Sequence, residues 1–229
     1  MTENKKENLN NRMIKFLFEG APVRGACVQM AEEWQEMIKF HHYPENVAAL
    51  LGQFTAGALL LSSTIKFEGS LILQVKGSGP IAFIYAEVRN PMSVRAMAEI
   101  REGAEIKPEM DLQELINKDG KGLCALILDP KDRRPGVQPY QGMVSLESNS
   151  VAENLENYMA KSEQLETKLY LAADCKKLGG LVIQKMPSVG GNVSEISDPD
   201  AWGRIEKLVC ARTLCPIKTT AKVIKHKKI

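Results

Sequence analysis

Residues 139–171 read PYQGMVSLESNSVAENLENYMAKSEQLETKLYL, a strand, a helix and a second strand in one short run. Tyr140, Gly142, Val144 and Leu146 alternate with Gln141, Met143 and Ser145, the two-residue period of a half-buried strand. Ser150 and Glu153 have the spacing of a capping box, in which the hydroxyl accepts from an open amide and the carboxylate reaches back. Ala152, Leu155 and Met159 then recur at helical spacing, widened by Val151 and Tyr158. Thr167, Leu169 and Leu171 restore the strand period. The run contains no nucleophile beside a base and no ligand cluster. It reads as scaffold.

Upstream lies the second informative stretch, residues 45–66. Val47, Leu50, Leu51, Phe54, Ala58, Leu59 and Leu61 leave little room for a polar face, and Ala48, Ala49, Gly52, Ala56 and Gly57 fill the gaps with small side chains. A helix apolar nearly all round is a buried one, and its small residues predict close neighbours on more than one side. The histidine–tyrosine–proline turn at 41–44 ends the helix before it, over 31–40, because proline cannot continue a helix interior.

Strands are predicted over 13–18, 22–30, 67–75, 81–88, 93–100, 123–128 and 181–186, with a short helix over 111–117. Residues 67–88 form a hairpin turning at 76–80, and 173–180 is read as a turn. Strands and helices come in mixed order rather than as regular βαβ units, so the class is α+β. Residues 1–12 read as a flexible N-terminus, 13–187 as one α+β domain, and 188–229 as a linker region with a basic tail. Within that last part, Asp198 and Pro199 open a helix whose apolar face is Trp202, Ile205 and Leu208.

Composition excludes several function classes. Hydrophobic residues make up 44% of the 229 and charged ones 25%, with a net charge of +2, so no global field calls for nucleic acid or an acidic membrane. The five cysteines, Cys27, Cys124, Cys175, Cys210 and Cys215, form no CxxC pair, and four residues separate the last two. An odd, scattered set predicts reduced thiols and a cytoplasmic setting. The longest apolar run, near 56–61, is too short to span a bilayer. No GxSxG, Walker or HExxH motif is present, and Gly77 and Gly79 precede a strand, so they are no dinucleotide fingerprint. No catalytic or metal-binding residue is assigned.

The central motifs resemble those of the heat-shock protein 33 family of redox-regulated bacterial chaperones. The resemblance rests on Tyr140-Gln141-Gly142, on the Leu155-Glu156-Asn157-Tyr158 run, and on Ser162-Glu163-Gln164-Leu165 followed by Thr167. Pro22-Val23-Arg24-Gly25, His42-Tyr43-Pro44, the 71–79 strand and the glycines at 179 and 180 extend it over residues 14–187. The helix near 198–208 is similar to the start of the family's linker.

The resemblance implies two crossed, packed, mixed sheets around a largely buried helix, and ATP-independent holding of unfolding clients. It singles out Arg24, Gly25, Tyr140, Gln141, Gly142, Tyr158, Ser162, Glu163 and Gln164 as motif positions. In that family a C-terminal module binds zinc through CxC and CxxC motifs. Its oxidation releases the metal, loosens the linker, exposes apolar surface and yields active dimers. Neither motif occurs here, so no cofactor is expected for this chain and no zinc ligand is carried over. The expected reading is a chaperone domain with part of its linker and an atypical end, which binds clients independently of oxidation. Core and client-contacting apolar positions look alike in sequence, so no client-binding residue is named. Two readings from other classes stand beside it: a thiol- or histidine-dependent enzyme whose site is assembled from Cys27, His42 or Glu163, or a nucleic-acid-binding tail at 218–229.

Overall fold

Glu45–Thr64 forms a twenty-residue helix, and its neighbours explain its composition. In the computed structural model, which describes residues 11–89, 93–132, 138–186 and 200–213, this helix (α2) runs between two sheets. The first sheet has the order β1 (Asn11–Leu17), β2 (Val23–Met30), β9 (Leu178–Lys185), β8 (Thr167–Ala173). The second has the order β5 (Ser93–Ile100), β4 (Ile81–Arg89), β3 (Gly69–Lys76), β6 (Leu123–Pro130), β7 (Tyr140–Val144). The α+β class is observed, and the helix is buried as expected. The pairings are antiparallel throughout these sheets rather than mixed, because the strands are joined mainly by hairpins and returns.

The inner faces follow the alternation. Leu71, Leu73 and Val75 on β3 stand level with Val88, Ala86 and Ile84 on β4 and with Leu128, Leu126 and Cys124 on β6. From the other side Ala26, Val28 and Met30 of β2 close the core, with Val182 of β9. The small residues of α2 act as read: a Cβ on Gly57 would lie 2.8 Å from Leu155 Cδ1 of α4 (Val151–Lys161). By length and composition α2 would also reach across a bilayer, but here its sides are taken by both sheets.

Two further helices fix the ends of the sandwich. In α1 (Glu32–Ile38) Trp34 is fully buried and donates to the Asp174 carbonyl at 2.8 Å. The segment α3 (Leu112–Ile116) opens with a complete capping box, Asp111 accepting from the Glu114 amide while Glu114 accepts from the Asp111 amide.

Two free sheet edges carry single-residue caps. Tyr43 Oη donates to the Ala98 carbonyl at 2.9 Å and accepts from the Ala98 amide at 3.0 Å, satisfying both outward groups of β5 at that point. On β8 the Glu156 carboxylate accepts from the Leu169 amide at 2.7 Å.

Several expectations are corrected. Residues 173–180 are not one turn: the turn is confined to 174–177, where the Asp174 carboxylate accepts from the Lys176 and Lys177 amides. Gly179 and Gly180 lie inside β9, where a Cβ on Gly180 would come within 2.9 Å of Leu60 Cδ1, so glycine there admits α2. The first helix ends at Ile38: the His41 amide turns back to the Ile38 carbonyl at 3.0 Å, three residues before it, and His42 then takes a left-handed conformation with φ 46°. Strand β1 begins at Asn11, inside the stretch read as a flexible N-terminus. The last helix, α5 (Ala201–Thr213), packs through Ile205, Trp202 and Val209, while Leu208 is exposed, so its apolar face lies one residue from the expected one. The cap at Asp198 and Pro199, residues 1–10, the 188–192 linker and the 218–229 tail lie outside the described residues.

Candidate functional site

Seven of the nine motif positions gather where α4 meets β7. The Tyr140 and Tyr158 hydroxyls are 3.1 Å apart, and both donate to one carboxylate oxygen of Glu163, at 2.9 and 2.8 Å. Gly142 makes this possible: a Cβ there would lie 2.0 Å from Tyr158 Oη. Ser162 is the C-cap residue of α4, its amide donating to the Tyr158 carbonyl at 2.8 Å. Gln164 turns the chain in the left-handed region, φ 56°, which lets the Leu165 amide reach the open Met159 carbonyl at 3.0 Å. Gln141 points outward, toward Met143 Sδ. Burial pushes the Tyr158 phenol well above its ordinary value, aided by Tyr140 and Glu163, so it stays a neutral donor.

The start of α4 departs from the expected box. Ser150 accepts from the Glu153 amide, but Glu153 bonds the Ser148 hydroxyl, and Ser148 Oγ in turn accepts from the Ser150 amide. A third residue closes the loop.

Arg24 and Gly25 belong to a different place, on β2. Arg24 Nε donates to Gln184 Oε1 at 3.0 Å, and Gln184 Nε2 donates to Thr167 Oγ1 at 2.9 Å, a polar row across three strands inside the sandwich. Burial lowers the Arg24 pKa from its ordinary value. Gly25 lies under the Phe16 ring, whose Cζ would be 2.3 Å from a Cβ. None of these positions presents a reactive group to a pocket. Their geometry holds strands and helices together.

Nor are the residues of an enzyme site assembled. Cys27 lies on β2, His42 in the turn before α2, and Glu163 after α4 beneath two phenols, with no hydrogen bond among the three. Zinc fits no set of described residues. Cys27, Cys124 and Cys175 sit on separate elements, and burial pushes the Cys124 thiol up to about 12, against the thiolate that zinc requires.

What the strands do present is apolar outer surface. Across the second sheet Met97, Tyr85, Gln74, Ala125 and Met143 stand in one register row, and Glu99, Phe83, Lys76 and Leu123 in the next. Leu123 and Met143 are each 54% exposed and Met97 40%, with Phe83, Tyr85 and Ile127 half-buried beside them. At one margin Glu87 accepts from Ser70, Tyr85 and Arg89. Burial pushes its carboxyl up, and those three partners more than offset it, leaving the pKa below its ordinary value.

The outer face of the first sheet is covered in part. Helix α5 seats Ile205 on Val23 and Ile183, with Phe16, Phe18 and Ala21 around them, and Glu206 lies 3.5 Å from Lys168 Nζ. Ile14, Cys27, Leu181 and Tyr170 continue that face, half-buried. Sequence patterning did not separate these residues from the core, since period two marks both faces of such a strand as apolar.

Known proteins share this chain's sequence and architecture. A 33 kDa chaperonin of Neisseria gonorrhoeae (strain NCCP11945) is 40% identical over 207 residues, which cover 90% of this chain and 64% of that protein. A 33 kDa chaperonin of Methylobacillus flagellatus is 36% identical over 198 residues, 86% of this chain and 63% of the relative. The chain thus spans less than two thirds of these relatives' length. The crystal structure of the heat shock protein 33 homolog of Thermotoga maritima, also a 33 kDa chaperonin, superposes with a TM-score of 0.65 at 20% identity. The match covers 89% of this chain and 68% of that one, and the fold is the same. The model of the Hsp33 protein family matches residues 11–225, nearly the whole chain, and the chain therefore belongs to that family.

Proposed function

We propose that this chain is an ATP-independent holdase, which binds unfolding polypeptides through apolar sheet surface and keeps them from aggregating. The observation that carries the reading is the outer face of the second sheet. Met97, Leu123 and Met143 are exposed there beside Phe83 and Tyr85, and no described helix lies across them. Isolated exposed apolar residues are ordinary, but here Leu123 and Met143 stand exposed on the neighbouring strands β6 and β7, and Met97 on β5 stands beside Phe83 and Tyr85 of β4. That grouping fits a binding surface even though Gln74 and Lys76 of β3 lie between. Methionine suits a surface that must accept many sequences, because its unbranched side chain adapts its shape. The absence of an assembled reactive group in the motif cluster fits a binding protein better than an enzyme.

The patch beneath α5 extends the reading. An amphipathic helix held by Ile205, Trp202 and Val209 occupies apolar sheet that a client segment would fit equally well. The clients are unfolded proteins, the setting is cytoplasmic, and self-association through the same surfaces follows from their chemistry. The described cysteines, Cys27, Cys124 and Cys175, are free thiols on separate elements, so the described domain is proposed to hold clients without an oxidation step.

Light scattering of a heat-unfolding client tests this. The reduced protein should suppress aggregation, equally with peroxide and with reductant, and the double variant Met97→Glu, Met143→Glu should suppress it less while remaining folded. Full activity of that variant, or strict dependence on peroxide, would overturn the reading.

A further inference from the structure

Among the described residues the first strand is unpaired along one edge, and that edge borders a cleft. In an antiparallel ladder alternate residues turn both backbone groups toward the partner, and those between turn them away. The Phe18 amide bonds the Val23 carbonyl, which sets the alternation: Phe16 and Ile14 face β2, while Met13, Lys15 and Leu17 face outward. Among the described residues nothing pairs with the outward groups of these three. The edges of β5 and β8, by contrast, are capped by Tyr43 and Glu156.

The same three side chains lie on the inner face of their sheet. Met13 and Lys15 line a cleft of ≈ 530 Å³ between the sheets, walled by Ile65, Phe67, Leu71 and Leu128. Arg89, also at the cleft, is paired with Glu87, and Lys15 has no ion-pair partner among the described residues.

We propose that the β1 edge takes up an extended polypeptide segment as an added antiparallel strand. The segment has a carboxylate opposite Lys15 and apolar residues two positions to either side. Backbone bonds to Met13, Lys15 and Leu17 supply the attachment, and the alternate side chains meeting the cleft supply the selectivity. The two intervening residues of the segment lie beside Ile14 and Phe16 on the outer face. Lys15 also decides against a second copy of this edge, because pairing centred there sets two ammonium groups opposite each other. That the natural occupant is a client rests on the holdase reading; the strand addition itself does not.

The probe is a fluorescein-labelled peptide, Ser-Leu-Thr-Glu-Val-Leu-Ser, read by anisotropy, with amide hydrogen exchange on the protein. Binding should slow exchange at Met13, Lys15 and Leu17. N-methylation of the Leu, Glu and Leu amides, which face β1, should weaken it by at least about tenfold, since each bond to the edge is lost. N-methylation of the Thr and Val amides, which face away, should leave it intact. Lys15→Glu should likewise weaken binding by on the order of tenfold, and a Glu-to-Lys peptide should restore it, because facing like charges repel. Equal binding of the two methylated peptides, or no rescue, overturns the proposal. Client aggregation is followed in parallel. Suppression without peptide binding overturns the edge site alone, whereas strand addition without suppression supports the edge site and removes the holdase reading.

Discussion

Tyr158 and Gly142 are a pair whose meaning lies entirely in the space between them. A Cβ 2.0 Å from the phenolic oxygen cannot be accommodated without moving the ring. Gly142→Ala should therefore destabilise the fold by about 1–3 kcal/mol, the usual range for overpacking a tight site. Tyr158→Phe should cost about 1 kcal/mol for its hydrogen bonds. In the Tyr158→Phe background Gly142→Ala should cost less than in the parent, since the closest clash has gone; strict additivity in urea melts would refute the contact. The tyrosine, the glycine and the glutamate were all legible as motif positions. Their common purpose was not, because Tyr140 and Glu163 are 23 residues apart and nothing local shows that they share an oxygen. The Ser150 cap was legible in kind, yet its closure through Ser148 depends on a loop conformation that spacing alone does not specify.

Elements were read well where period and burial agree. The core helix and the 67–88 hairpin come from patterns with one interpretation. Glycine pairs misled at 179 and 180, because a residue that suits a turn also suits a strand pressed against a helix. The face of α5 was missed by one position, for the 3.6-residue period fits either Leu208 or Val209 after Ile205, and only the sheet beneath decides. Edge protection was not readable at all. Tyr43 looked like part of a helix-ending turn, and the structure places its hydroxyl on both backbone groups of Ala98. Tyr43→Phe should leave that N–H and C=O without partners, costing about 1–3 kcal/mol. Hydrogen exchange at Ala98 should speed up in the variant, while unchanged protection would mean that the hydroxyl is not the cap.

At the scale of the molecule, class and element order were in the sequence, while the assignment of strands to two sheets was not. Pairing depends on which apolar faces meet after the chain has returned, and periodicity carries no such information. Whole-molecule stability should also bear the mark of Glu87, whose folded pKa lies below its ordinary value of 4.5. A depressed carboxylate contributes stability that is present above that value and is lost as pH falls through the folded one. Glu87→Gln should therefore flatten the acid limb of a stability profile measured by urea unfolding between neutral pH and pH 3. An unchanged slope would show that other carboxylates govern it.

The row joining Arg24 to Gln184 and Thr167 has a consequence for how the protein is made. Those first two partners are 160 residues apart. At ribosomal rates of roughly 5–20 residues per second, the β1–β2 hairpin waits about 8–30 s for β9 to be synthesised. Throughout that interval the apolar side of the hairpin has no sheet to join. The nascent chain is itself a polypeptide with unsatisfied apolar surface, and its first sheet is sealed only by β9, the last of the described strands to appear.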